Sequence, residues 1–268
     1  MSPASPTGNG NGKAPLRTSV LKVGGANLER PAYVEQLTAH VAERTKAGER
    51  IVLVHGGGSE IGALHDALDV PCRKWNGLRV TSEKGMEITT MVLCGVVNKR
   101  VVARLVERGV AALGLSGIDL GLLRAELLDA EMLGRVGDTP RVEVNRLRSI
   151  LDAGLVPVVA PVSLGPDGRP VNVNADTAAH ALAMALRADS LDFVSDVPGV
   201  RIRAESDDIA SSLAVPEVEK LLRAGTVVTG GMVPKLTSAV AAVKAGVGRV
   251  RVGNLSGIAR GQATEVVA

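Results

Sequence analysis

A three-layer α/β fold, with helices on both faces of a central and mainly parallel sheet, is what this sequence predicts. Three observations carry that expectation. Short Val/Ile/Leu runs end in glycines, helical periodicities follow those runs, and the same rhythm returns along a chain of 268 residues. Hydrophobic residues make up 46% of the chain and aromatic residues 1% (Trp75, Tyr33 and Phe193). The core must therefore be packed from Val, Leu, Ile and Ala, the mixture required by strands covered on both faces.

Taken in order, residues 1–18 are rich in Ser, Pro, Gly and Asn and predict a disordered tail. Residues 19–23 predict a strand running into Gly24 and Gly25. Tyr33, Leu37 and Val41 then recur at helical spacing. Residues 51–54 repeat the unit: they run into His55, Gly56, Gly57 and Gly58, and Ile61, Leu64 and Leu68 mark the following helix. Residues 76–81 read as a polar hairpin or loop, and 83–108 as one long helix. Residues 111–115 form a buried strand ending at Ser116 and Gly117, and 120–144 a meandering hairpin region. A helix over 146–153 leads to a strand over 156–160. Pro166, Asp167 and Gly168 make a strong turn. Asn174, Ala175 and Asp176 open a helix through 188, followed by a strand over 189–194 that ends at Ser195 and Asp196. Helices over 216–224 and 235–245 and strands over 249–252 and 265–267 complete the chain. A boundary within 161–170 divides an ordered domain of 19–268 into an N-lobe of about 19–165 and a C-lobe of about 166–268.

Composition excludes several classes. Lys and Arg number 31 against 28 Asp and Glu, a net charge of +3, too small and too dispersed for a nucleic-acid footprint. Aromatic platforms for stacking bases are nearly absent. No apolar run approaches the ~20 residues of a membrane span, and the tail lacks the apolar core of a secretory signal. Cys72 and Cys94 show neither CxxC nor metal spacing, so both are read as reduced, buried thiols of a cytosolic protein. Neither a Walker A run nor GxGxxG is present, which argues against a P-loop ATPase and a nicotinamide dehydrogenase.

What remains is a set suited to phosphoryl transfer. Gly24–Gly25 and Gly56–Gly58 stand where strands meet helix N-termini and remove Cβ from ready anion sites. Either group alone is equally well read as a tight turn. Lys22 lies inside an apolar strand, where a lysine is seldom buried alone, so its ammonium is expected over the strand's C-terminal edge. Lys235 follows a second glycine turn and opens a helix. With Asp176 these form two cations held by one carboxylate, the arrangement that neutralises a transferring phosphoryl group. His55 reads as a packed histidine, since a carboxylate acceptor needs no base at neutral pH. No metal ligand set emerges from spacing.

Six motifs in order carry a resemblance: Lys22-Val23-Gly24-Gly25, His55-Gly56-Gly57-Gly58, Asn76-Gly77-Leu78-Arg79-Val80-Thr81, Asn172-Val173-Asn174-Ala175-Asp176, Ser195-Asp196-Val197-Pro198-Gly199, and Thr229-Gly230-Gly231-Met232-Val233-Pro234-Lys235. Together they resemble the amino acid kinase superfamily, and within it the acetylglutamate kinases. The resemblance spans 20–267 and implies the amino acid kinase fold and ATP-dependent phosphorylation of the γ-carboxylate of N-acetylglutamate in arginine biosynthesis. It also implies roles. Lys22 and Lys235 stabilise the transferring phosphoryl group, oriented by Asp176. Gly24, Gly25, Gly57 and Gly58 offer N–H groups to phosphate or acceptor carboxylate. Arg79 takes the α-carboxylate as a bidentate fork, and Asn172 holds the other end of the substrate. Asp196, Val197, Pro198, Gly199, Val200, Arg201, Val227, Val228 and Thr229 surround adenine and ribose. Mg2+ arrives with ATP, held by phosphate oxygens.

The related kinase for aminoadipate or glutamate linked to a small carrier protein shares the lysines and glycines, and residues 91–99 and 114–119 are similar to it. The segment from Asn76 to Thr81 has the acetylglutamate-type form. A non-catalytic amino-acid sensor on the same fold would have lost one of Lys22, Lys235 or Asp176, and all three are present. Arginine-inhibited members carry an N-terminal helix that this tail is not suited to form. The resemblance thus implies a cytoplasmic homodimer that is insensitive to arginine and engages neither nucleic acid nor membrane.

Overall fold

The computed structural model describes residues 16–75, 77–203 and 208–268. The expectations for the tail over 1–15, including the absent N-terminal helix, and for Asn76 lie outside the described residues. The strands are β1 (Thr18–Val23), β2 (Arg50–His55), β3 (Lys74–Trp75), β4 (Leu78–Arg79), β5 (Ala112–Ser116), β6 (Leu123–Arg124) and β7 (Arg141–Val142). They continue as β8 (Val156–Ala160), β9 (Val162–Leu164), β10 (Pro170–Asn172), β11 (Ser190–Ser195), β12 (Ser212–Ala214), β13 (Val250–Asn254) and β14 (Thr264–Val267). The helices are α1 (Gly25–Leu28), α2 (Pro31–Lys46), α3 (Gly58–Ala67), α4 (Glu83–Thr90), α5 (Asn98–Glu107) and α6 (Ala130–Leu133). After them come α7 (Val144–Asp152), α8 (Ala175–Leu186), α9 (Val215–Ala224), α10 (Met232–Lys244) and α11 (Leu255–Arg260).

Eight strands build the main sheet in the order β12-β14-β13-β11-β1-β2-β8-β5. Every pair in it is parallel except β13 with β14, the mainly parallel sheet the sequence predicts. Side chains alternate between two cores along each strand. Val20, Val52 and Val54 pack with Leu147, Leu182 and Leu236 on one face. Leu21, Val23, Ile51 and Leu53 pack with Leu37, Leu93 and Val101 on the other. The apolar runs read from sequence are continuous because both of their faces are buried. No helix among the described residues is long and apolar enough to cross a membrane.

β1 lies between β2, its successor in the sheet, and β11, which comes about 170 residues later by their register, Ser19 opposite Ser190. The chain order therefore reverses at β1. In open parallel sheets, ligands bind beyond the strand C-termini at such a reversal. Lys22, Gly24 and Gly25 occupy that point.

Three features depart from the sequence reading. The helix expected over 83–108 is interrupted by a π-helical stretch, Met91–Val97, between α4 and α5. The region read as a meander over 120–144 supplies β6 and β7 to a four-stranded sheet, order β10-β9-β6-β7, joined by strands from beyond residue 160. Cys72 and Cys94 are free but only half-buried; burial still pushes the Cys94 thiol up to about 11, with Asp119 adding to it.

Candidate active site

Asp176 organises the site. It stands in the first turn of α8, where Asn174 caps the helix by accepting the Asp176 N–H at 2.8 Å, a location that favours a carboxylate. Its Oδ1 receives Lys22 Nζ at 2.9 Å and Lys235 Nζ at 3.1 Å. All three residues are buried. Lys22 comes from β1 and Lys235 from the first turn of α10, so three elements far apart in sequence converge on one oxygen. Lys235 also lies 5.9 Å above the Phe193 ring centroid, a cation–π contact.

Burial alone would push the Asp176 carboxyl up, but Lys22 and Lys235 outweigh it and hold the group below the usual carboxylate range. For Lys235, burial is the main effect; Lys22 adds repulsion, Asp176 compensates in part, and the ammonium falls to about 8. The triad thus sets two lysine side chains on one buried carboxylate.

The glycine turns approach each other closely. A Cβ on Gly25 would lie 2.4 Å from Gly57 Cα, and one on Gly57 would lie 2.7 Å from Leu93 Cδ2 and 3.3 Å from Val97 Cγ2. Glycine is required here by contact, since neither position has a positive φ. The π-helical stretch carrying Leu93 and Val97 thus closes directly on the second turn. Gly57 precedes α3, so the N–H groups that begin this helix face the site.

Two cavities adjoin the triad. The first is bordered by Lys22, Gly25, Gly57, Gly58, Arg79, Asn172 and Asp176, with apolar Ile61, Leu78, Leu93 and Val136. Arg79 Nη2 donates to the Gly58 carbonyl at 2.6 Å, and its Nη1 meets Cys72 Sγ. Asn172 Nδ2 donates to Thr81 Oγ1 at 3.1 Å. The second cavity is bordered by Gly24, Gly25, Asp196 and Lys235, with Asn27, Ser59 and Ser195.

The structure therefore brings together Lys22, Lys235, Asp176, Gly24, Gly25, Gly57, Gly58, Arg79, Asn172 and Asp196. Val197, Pro198, Gly199, Val200, Arg201, Val227, Val228 and Thr229 border neither cavity. Val200 and Val228 turn their side chains into the core, so only their backbone can face a ligand. His55 is fully buried between Asn98 Nδ2 (3.1 Å from Nε2) and the Gly56 carbonyl (3.1 Å from Nδ1). Burial drives its pKa down to about 4, the packed histidine expected. Sequence reading missed Lys74, which borders both cavities; two short strands carry no periodicity to reveal it.

Residues 17–254 match the amino acid kinase family. An acetylglutamate kinase from Methanopyrus kandleri is 46% identical over 254 residues, covering 92% of this chain and 99% of its own length. One from a Roseiflexus species is 44% identical, covering 90% of both chains. Among solved structures, a protein from Streptococcus mutans UA159 superposes with a TM-score of 0.84 at 31% identity, covering 94% of this chain and 98% of its own.

Proposed function

The chain belongs to the amino acid kinase family, and on that premise we propose that it transfers the γ-phosphoryl group of ATP to the side-chain carboxylate of N-acetylglutamate, the acyl-phosphate step of arginine biosynthesis. The observation that carries this reading is the Lys22–Asp176–Lys235 triad, set between two glycine turns at the reversal point of the sheet. The acetylglutamate kinases at 44–46% identity supply the acceptor.

In this reading the first cavity holds the acceptor. Arg79 takes the α-carboxylate and Asn172 the opposite end, while Leu78, Leu93 and Val136 suit a methyl group. Gly57, Gly58 and the α3 N-terminus receive the reacting carboxylate. The second cavity holds the ATP phosphates against Gly24, Gly25 and Lys235. Backbone groups of Asp196–Arg201 and Val227–Thr229 frame the nucleoside beyond it. A carboxylate oxygen attacks the γ-phosphorus as the bond to the β,γ-bridging oxygen breaks, with the electron pair leaving on ADP. No proton moves, and His55, buried and neutral, takes no part. The lysines stabilise charge on the equatorial oxygens; Asp176 fixes both and keeps them from repelling each other.

Among the described residues no three His, Cys, Asp or Glu side chains converge as a metal cage, and the Asp176 carboxylate is committed to two ammonium groups. Mg2+ in this reading enters with ATP, held by phosphate oxygens.

We assign the assembly as a homodimer. β5 is an edge of the main sheet, and Met91, Val96 and Leu120 expose apolar surface in the neighbouring segments, which a second copy would cover. Sedimentation equilibrium should return twice the chain mass of 27.6 kDa; a monomer at micromolar concentration would remove the assignment.

Hydroxylamine trapping tests the reaction. ATP and N-acetylglutamate should yield a hydroxamate in step with ADP. Turnover only with a carrier-linked acidic amino acid would replace the acceptor named here.

A further inference from the structure

β3 and β4 form a two-stranded hairpin separate from both larger sheets. In its register Lys74 faces Arg79 and Trp75 faces Leu78. Residues directly opposite in an antiparallel pair project from the same face, and like charges so placed repel each other. The hairpin thus carries two cations side by side above the site. Arg79 has partners in the Gly58 carbonyl and Cys72. Lys74 is exposed and makes no ion pair or side-chain hydrogen bond among the described residues.

Its position is specific. Gly25, Gly58 and Lys74 are the residues that border both cavities. Two of them offer backbone to an anion, and the third offers a cation. Lys22 and Lys235 with Asp176 sum to a single positive charge (two minus one). An acceptor carboxylate and a transferring phosphoryl group bring more negative charge than that to the junction between the cavities. A like-charge pair is a liability in the free protein and an asset once an anion lies beneath it.

Resting on the reaction proposed above, we infer that Lys74 is a third cationic catalytic residue, contacting the acceptor carboxylate and the transferring phosphoryl group where the two cavities meet. Its charge acts most strongly when the carboxylate oxygen and the β,γ-bridging oxygen share the phosphorus, so its effect falls on kcat rather than on substrate binding. No proton leaves or reaches Lys74 in the step.

The test is steady-state kinetics with MgATP and N-acetylglutamate on wild type, Lys74→Met, Lys74→Arg and, as a control one residue away, Arg73→Ala. Lys74→Met should lower kcat about 10²-fold, the lower end of the scale for removing one transition-state donor, with KM for either substrate changed much less. Lys74→Arg should recover part of the loss, and Arg73→Ala should match wild type. The free Lys74→Met protein should melt at or above the wild-type temperature, because a repelling neighbour of Arg79 is gone. A kcat within twofold of wild type, a loss confined to KM, or a lowered melting temperature with no recovery by arginine would each overturn the inference. Wild-type protein that forms no acyl phosphate would overturn the reaction and this inference together; active wild type with unimpaired Lys74→Met overturns the inference alone.

Discussion

At the residue scale, two ammonium groups share one carboxylate oxygen at 2.9 and 3.1 Å, and each member depends on the others. Lys22→Ala and Lys235→Ala should each lower kcat by about 10²-fold or more, on the order of 3 kcal/mol in the transition state, with the fold retained by circular dichroism. Asp176→Asn leaves two buried cations without a counter-charge, so it should cost about 3–5 kcal/mol in denaturant unfolding as well as activity. The pH profile follows from Lys235. Phosphoryl stabilisation needs its ammonium, and burial has lowered that group to about 8 in the free protein. The kcat/KM for ATP should therefore fall as pH rises through about 8, because that ratio reports the free enzyme. Bound phosphates favour the ammonium, so the same limb in kcat should lie at higher pH. Coincident limbs in both profiles would remove Lys235 from contact with the nucleotide.

At the element scale, the glycine turns are set by how closely β1, β2 and the π-helical stretch approach. Gly25→Ala would drive a methyl group to 2.4 Å from Gly57 backbone, so the two turns must separate. We expect a fall of several degrees in melting temperature and at least a tenfold loss in kcat. Gly24→Ala meets nothing within 4 Å and should melt like wild type. Much of this was legible in sequence: the apolar runs, the glycines that end them, and the lysine and aspartate at strand or helix ends are local patterns. The π-helical interruption was not, since residues 83–108 carry an uninterrupted helical pattern. What the stretch does is tertiary: it sets Leu93 and Val97 against Gly57, a contact that local periodicity does not report. Lys74 was hidden for a related reason. Its meaning lies in the register opposite Arg79 and in the junction of two cavities, neither of which two-residue strands announce.

At the scale of the whole molecule, one sheet joins both halves of the chain, with β1 held between β2 and β11. That arrangement places Lys22 beside residues more than 150 positions away and forms the triad. It also buries charge that sequence reading passed over. Asp192, fully buried on β11, receives Arg251 Nε at 2.7 Å and Nη2 at 2.8 Å, with Arg44 Nη1 at 3.3 Å. None of these residues borders either cavity at the triad. Arg251→Met should therefore destabilise the fold by about 3–5 kcal/mol and leave kcat unchanged, separating scaffold from site. The central claim is that a buried lysine–aspartate–lysine triad directs the γ-phosphoryl group of ATP onto a carboxylate. Phosphorus NMR of the wild-type reaction tests it most directly: with N-acetylglutamate present, an acyl-phosphate resonance should grow in step with ADP, and Lys235→Ala should slow both equally. ATP consumed to ADP and inorganic phosphate at a rate indifferent to N-acetylglutamate, with no acyl-phosphate signal, would contradict it.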